Sequence, residues 1–280
     1  MRSAFLIQVE CTDRPGLVAA VAEALAGAGA NILDLAQHSA AARELFLLWA
    51  RVDSPLGLAE MEQRLAPLGQ RFGMTLRLFD AARRPKVAIL ASRTAHCLYE
   101  LLLKHAEGRL NCDFVGVAAN HPDLEPVARH FGVPFAHVPH GGDTAAHEAA
   151  LLARLKAWDA ELLVLARYMR VLSPGFIGAW PHRVLNIHHG FLPAFSGAKP
   201  YHQAWDKGVK LVGATAHFAT AVLDAGPIIA QDVLRVSDRA SVEELVERGK
   251  DVERKVLVEA LGLLLERRVF VNAGRTFVLD

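Results

Sequence analysis

Asn186 and His188 stand two residues apart in the run Arg183-Val184-Leu185-Asn186-Ile187-His188, and Asp224 follows in the turn Asp224-Ala225-Gly226-Pro227. The first run reads as a strand leaving a buried sheet. Side chains alternate faces along a strand, so Asn186 and His188 point the same way. An amide donor beside an imidazole suits attack on a carbonyl, because both can steady a developing oxyanion. A carboxylate such as Asp224 can orient the imidazole or take a proton from water. This chemistry needs neither a metal nor a covalent nucleophile.

The stretch 186–227 holds more of the same kind: His189, Leu192-Pro193, Gly197, His202, Gly213, Thr215 and His217. Any one of these histidines alone reads as a hydrogen-bonded structural group. The ordered set reads as a site. Other histidines need less: His137 and His140 flank Pro139 without an acidic partner and read as surface-loop residues rather than a metal pair. His105 and His130 fall late in predicted helices, where a cation suits the dipole.

The elements that must position the site follow from the apolar pattern. Within residues 1–80, strands are predicted at Phe5 to Val9, Asn31 to Gln37, Glu44 to Val52 and Met74 to Phe79. Helices are predicted at Leu17 to Ala28 and Pro55 to Leu68. The order is βαββαβ, a ferredoxin-like split. Residues 81–85 have a linker composition, with Arg83 and Arg84 read as solvated. From 86 to 280 the rhythm changes to continuous apolar strands, Val87 to Leu90, Phe114 to Val117 and Leu162 to Leu165, alternating with helices at 95–107, 123–132 and 145–158. That alternation indicates a parallel α/β sheet covered on both faces. A charged helix at 241–267 and a hairpin around Asn272-Ala273-Gly274-Arg275 close the chain.

Bulk properties set limits. Of 280 residues, 52% are apolar and 22% charged, so a sizeable core is expected. The net charge of +1 and the lack of Lys/Arg clusters give no case for nucleic acid or an anionic membrane. No apolar run approaches a membrane span, and the N-terminus lacks a signal-peptide core. Three widely spaced cysteines, Cys11, Cys97 and Cys112, argue against a disulfide framework or a zinc ribbon. A cytoplasmic protein is expected, with small molecules or copies of itself, a homo-oligomer, as partners.

The motif Asn186-Ile187-His188 with Leu192-Pro193, then Gly213-x-Thr215-x-His217, then Asp224-x-Gly226 resembles the formyltetrahydrofolate hydrolase and transferase superfamily. The resemblance implies that Asn186, His188 and Asp224 are catalytic. It also implies that Arg167, Tyr168, Met169, Arg170, Val171 and Leu172, with Leu223 and Gly226, lie along the folate pocket. Within that superfamily, the glycinamide ribonucleotide enzymes cradle a phosphate on a glycine-rich loop after the first strand. Here Ala91-Ser92-Arg93-Thr94-Ala95-His96-Cys97-Leu98 has no glycine, which argues against a phosphorylated amine acceptor. The stretches Asn120 to Leu124, Leu165 to Met169, Gly197 to Ala204 and Gly208 to His217 are similar to the deformylases of the superfamily.

The N-terminal unit resembles an ACT domain, and the resemblance implies an amino-acid effector site at Asp13, Arg14, Pro15 and Gly16 in its turn together with Asn31 and Ile32. The implied fold is α/β, an N-terminal ferredoxin-like ACT domain (1–80) followed, after the linker, by a Rossmann-like parallel-sheet formyltransferase domain (86–280). The implied activity is hydrolysis of 10-formyltetrahydrofolate to formate and tetrahydrofolate, supplying formate for purine synthesis and balancing one-carbon pools. No cofactor beyond the folate substrate and no metal is expected. Formyl transfer to an unphosphorylated amine, or a catalytically silent folate- or amino-acid-binding regulator, are the alternatives. Three departures stand out: Gly190 where deformylases usually have Ser, Ala95 where many have Gly, and the apolar run Leu45 to Trp49 in place of Phe-Phe-Met-Arg.

Overall fold

In the computed structural model, which describes residues 2–280, the chain divides into two compact units. The first holds the residues up to Arg83 together with Leu263–Phe270 and Phe277–Asp280; the second holds Arg84–Gly262 and Val271–Thr276.

In the first unit the elements run β1 (Ser3–Thr12), α1 (Leu17–Gly27), β2 (Asn31–Ala40), β3 (Leu45–Ser54), α2 (Leu58–Phe72) and β4 (Thr75–Asp80). The sheet order is β2-β3-β1-β4, and every pairing is antiparallel. Leu17, Val21 and Leu25 recur every four residues and give α1 one buried stripe. The alternation along β3 explains its unusual sequence. Phe46, Leu48 and Ala50 face the helices, in a core with Val21, Leu25, Met61 and Leu65. Leu45, Leu47 and Trp49 face the other way, against Phe270, Phe277 and Leu279 from the end of the chain. A strand covered on both faces is apolar throughout. The contacts are specific: Trp49 Nε1 donates to the Glu266 carbonyl at 2.8 Å, Gln8 Nε2 donates to that of Arg267 at 2.7 Å, and the Arg268 guanidinium lies 3.7 Å from the Trp49 ring centroid. The expected assignment of all of 86–280 to one domain therefore differs from the compact units, because the residues just named complete the first unit's second core.

The second unit runs β5 (Lys86–Ala91), α3 (His96–Ala106), β6 (Asp113–Ala119), α4 (Glu125–His130), β7 (Phe135–His137), α5 (Thr144–Ala157), β8 (Leu162–Ala166), α6 (Pro174–Gly178), β9 (Val184–His188), α7 (Pro200–Asp206), β10 (Leu211–Phe218), β11 (Ile228–Arg235) and α8 (Val242–Leu265), before the hairpin β12 (Val269–Asn272) and β13 (Arg275–Val278). The sheet order is β11-β10-β9-β8-β5-β6-β7. Strands β7, β6, β5, β8 and β9 are mutually parallel, whereas β10 and β11 pair antiparallel. The sheet is thus mostly parallel, with an antiparallel edge that the apolar pattern alone does not reveal. The chain leaves β5 toward β7 and returns on the other side to β8. The crevice beyond the carboxyl ends of β5 and β8 is therefore a topological switch point, where such sheets bind ligands.

Two local expectations change. Arg84 is exposed as expected but also anchored: its Nε pairs with Asp113 at 2.6 Å and Nη2 reaches the Cys112 carbonyl. His137 lies in the strand β7 rather than in a loop, although it is exposed as expected.

Candidate active site

The antiparallel turn-back of β10 builds the site. Its register sets His217 opposite Asn186 and Thr215 opposite His188. Directly opposed residues share a face, so the two motifs found separately in the sequence become one wall. Asn186 Nδ2 lies 3.0 Å from His217 Nε2, and His217 Nδ1 lies 2.9 Å from the Phe218 carbonyl oxygen. A carbonyl only accepts, so Nδ1 carries the ring proton and Nε2 accepts from the Asn186 amide. Burial lowers the His217 pKa below its ordinary value and keeps this neutral form. The second N–H of Asn186 remains free to point at a substrate oxygen.

His188 is fixed from both sides. Nε2 donates to the Phe195 carbonyl at 2.8 Å, and Nδ1 faces Asp224 Oδ1 at 3.4 Å. Asp224 Oδ2 accepts from the Gly197 amide at 2.8 Å. Burial raises the Asp224 pKa, but the His188 contact and the Gly197 amide outweigh it, and the net shift is downward. Asp224 itself sits at φ +54°, a conformation uncommon for a non-glycine residue and concentrated at functional turns.

Small groups hold this geometry. The buried Thr215 hydroxyl donates to the Gly190 carbonyl and accepts from Leu192 N and Gln231 Nε2, so it is fully satisfied. A Cβ at position 190 would lie 2.7 Å from the Phe195 carbonyl oxygen and 2.8 Å from His188 Nε2. Gly190 therefore leaves room for the bond that orients His188.

Asn186, His188 and Asp224 line one cleft of about 260 Å³, together with residues 167–172 and Leu223. Met169 N donates to the buried Ser92 hydroxyl at 3.0 Å, which ties this loop to the end of β5. Met169, Val171 and Leu223 are more than half exposed and offer apolar surface at the cleft. Tyr168 and Leu172 line it from its buried side and pack into the core, Tyr168 bonding His147 at 2.5 Å. Gly226, expected along the same pocket, is not in its wall. A Cβ there would fall 1.7 Å from the Phe218 carbonyl oxygen, so its place is in closing the turn after Asp224.

A second polar group beside the cleft escaped the sequence reading. Glu253 is 1% exposed on α8, yet its carboxylate accepts from His96 Nε2 at 2.9 Å and from the Tyr201 hydroxyl at 3.2 Å. Arg167 Nε lies 3.4 Å from Glu253 Oε2. Burial raises the Glu253 pKa, but His96 and Arg167 outweigh it and the net shift is downward. Nearby His189 is pushed down to about 3, chiefly by burial and then by the Arg167 charge. A signal for Glu253 existed: Gly249, Val252, Val256, Leu257 and Ala260 form the buried stripe of α8, and Glu253 falls within it. His96, Cys97 and Glu253 bring ligand atoms within 4.8 Å of one another. The adjacent guanidinium opposes a cation there, and burial drives the Cys97 thiol pKa upward, away from thiolate.

The expected effector residues are not brought together within one chain. Asp13 N donates to the Glu44 carbonyl where β1 ends, and Gly16 caps α1. Asn31 pairs across the sheet with Asp53, which pairs with Ala4 where β1 begins. Eight residues of strand separate the two ends, roughly 27 Å at about 3.4 Å per residue. Arg14 is engaged with the Phe72 ring, 5.0 Å from its centroid.

Residues 85–261 match the Formyl transferase family and residues 5–69 match the ACT domain. Fold and site thus define an ACT-bearing protein of the formyl transferase class. Formyltetrahydrofolate deformylase of Mycobacterium tuberculosis (strain ATCC 25618 / H37Rv) is 46% identical over 275 residues, covering 96% of this chain and 89% of that protein. The crystal structure of a formyltetrahydrofolate deformylase from Pseudomonas syringae pv. tomato superposes with a TM-score of 0.95 at 40% identity, covering 100% of this chain and 95% of that one. The corresponding structure from Burkholderia mallei gives 0.91 at 42% identity, with 99% of this chain and 100% of that one covered. The chain belongs to the formyltetrahydrofolate deformylase family. No helix among the described residues is long and apolar enough to cross a membrane.

Proposed function

We propose that this chain hydrolyses 10-formyltetrahydrofolate to formate and tetrahydrofolate. The observation that carries the proposal is the meeting of Asn186, His188 and Asp224 in a cleft edged by the 167–172 loop, with Met169 and Val171 exposed, and by Leu223. The formyl group is amide-like and resists neutral water. Asn186 donates its free N–H to the carbonyl oxygen as charge develops, while His188, anchored on the Phe195 carbonyl, holds Asp224 in place. Asp224, ionised by its partners, draws a proton from the attacking water. The new C–O bond forms, the C–N bond breaks, and that proton passes to the leaving nitrogen. The second water proton is lost from formic acid to give formate. Side chains supply every group in this scheme, so its one small-molecule requirement besides water is the folate substrate.

The physiological reading is formate supply for purine synthesis and balance among one-carbon pools, in the cytoplasm, where buried free Cys11, Cys97 and Cys112 are at home. The ACT unit supports an amino-acid effector. With Asp13 to Gly16 and Asn31 at opposite ends of one sheet, such a site forms between two copies, and we read the protein as a homo-oligomer on that ground.

The test is release of tetrahydrofolate from 10-formyltetrahydrofolate by the purified protein with no amine acceptor, formate being quantified in parallel. Equal amounts of both products support hydrolysis. Turnover that appears only when an amine is added would transfer the assignment to a formyltransferase.

A further inference from the structure

We propose that Arg167 forms a carboxylate subsite, which receives the formate produced in the cleft. The inference rests on the hydrolytic reading above and adds to it the residue that takes the product's second oxygen.

The placement comes from the sheet. Leu165 of β8 pairs with Asn186 of β9 in parallel register. Arg167 and His188 each lie two residues further on, at the carboxyl ends of adjacent strands, and both line the same cleft. Arg167 is held at φ +60°, a left-handed conformation that a side chain this size rarely adopts.

Its guanidinium is only partly satisfied. Nε and Nη1 are buried and have no hydrogen-bond acceptor among the protein atoms. Glu253 supplies countercharge at 3.4 Å from Nε, without the alignment of a hydrogen bond. The Glu253 oxygens are already engaged by His96 and Tyr201. A buried unsatisfied donor is costly and calls for an acceptor. Guanidinium donors match a carboxylate in charge and geometry.

Hydrolysis places that acceptor. The carbonyl oxygen is held at Asn186. The oxygen that enters from water becomes the second oxygen of formate, and it approaches from outside the folate's formyl plane. Orphaned N–H groups at the adjacent strand end suit that oxygen. The Glu253 charge opposes a second anion, which keeps formate affinity low enough for release.

The experiment follows [13C]formate binding by NMR titration into the full-length protein with tetrahydrofolate present, so the readout does not depend on turnover. Arg167→Met should weaken formate binding about tenfold or more, as loss of a charge-assisted donor does. Glu253→Gln should tighten it by about threefold, because the competing anion is gone. Titrations are run at saturating tetrahydrofolate, whose affinity should stay within about twofold in Glu253→Gln. If Arg167→Met does not fold, Arg167→Lys takes its place, with an expected loss of about threefold because the charge survives and the planar donor set does not. Shifts of opposite sign at 167 and 253 exclude a merely structural effect. Formate affinity unchanged at position 167, or no formate binding by the wild type, overturns the subsite. Hydrolysis of 10-formyltetrahydrofolate by the same preparation is measured separately: turnover without formate binding sinks the subsite alone, and formate binding without turnover sinks the hydrolytic reading and with it the product role of Arg167.

Discussion

His217 holds Asn186. Its Nδ1 is committed to the Phe218 carbonyl, so Nε2 is left as an acceptor 3.0 Å from the Asn186 amide. The donor aimed at the substrate is therefore oriented before substrate arrives. Asn186→Ala should lower kcat about 10²–10³-fold, the usual loss for one oxyanion donor. His217→Ala should cost less, about tenfold, because the amide remains but swings freely. Steady-state kinetics should show both losses in kcat with little change in KM.

Asp224→Asn should abolish most turnover while the folded protein still binds folate. The substitution removes the base and keeps the shape of the turn. A fluorescence titration with tetrahydrofolate alongside the rate assay separates the two effects. Near-normal turnover in this variant would remove Asp224 from the mechanism.

Gly190→Ala should lower kcat by about tenfold, because its Cβ would crowd the Phe195 carbonyl oxygen and His188 Nε2 at 2.7 and 2.8 Å. The thermal transition should move little if only the His188 ring is displaced. Unaltered kinetics would mean that the loop from 190 to 195 yields.

Acid should destabilise the second unit in a defined direction. His189 is held down to about 3, chiefly by burial, against an ordinary value of about 6.5. The unfolded chain then binds a proton that the folded chain refuses. Stability is fully present above about pH 6.5 and is lost as pH falls toward about 3, by up to about 1.4 kcal/mol per pH unit for one such group. Buried His217 adds the same sign. Urea titrations at about pH 7 and about pH 5 should show a smaller loss for His189→Gln than for the wild type.

Trp49→Ala should destabilise the first unit by about 3–5 kcal/mol, the usual cost of truncating a large buried ring. It also strips the Glu266 carbonyl of its donor and Arg268 of its ring partner. Chemical denaturation followed by circular dichroism would register the shift.

Much of this was legible in the sequence because local pattern and local chemistry agreed. The βαββαβ order followed from apolar periodicity, and Asn186, His188 and Asp224 from residue type and spacing. The remainder depends on long-range pairing. Nothing near Glu253 in the chain announces His96 or Arg167, and its neighbours Asp251, Arg254 and Lys255 disguise a buried carboxylate as part of a solvated face. The apolar run in β3 owes its second apolar face to Phe270 and Phe277, far away in the chain. Antiparallel pairing of β10 was equally hidden, since an apolar strand reads the same in both directions.

Gln8 bonds the carbonyl of Arg267, a partner that is synthesised only after the whole of the second unit's sheet. During translation the first unit's helix-side core has all its residues early, whereas Leu47 and Trp49 wait uncovered for their lid. A nascent chain therefore carries an adhesive strip through most of its synthesis, and a nonsense or frameshift mutation late in the gene would make that strip permanent. Such a product would keep every catalytic residue and still be a candidate for chaperone capture and degradation.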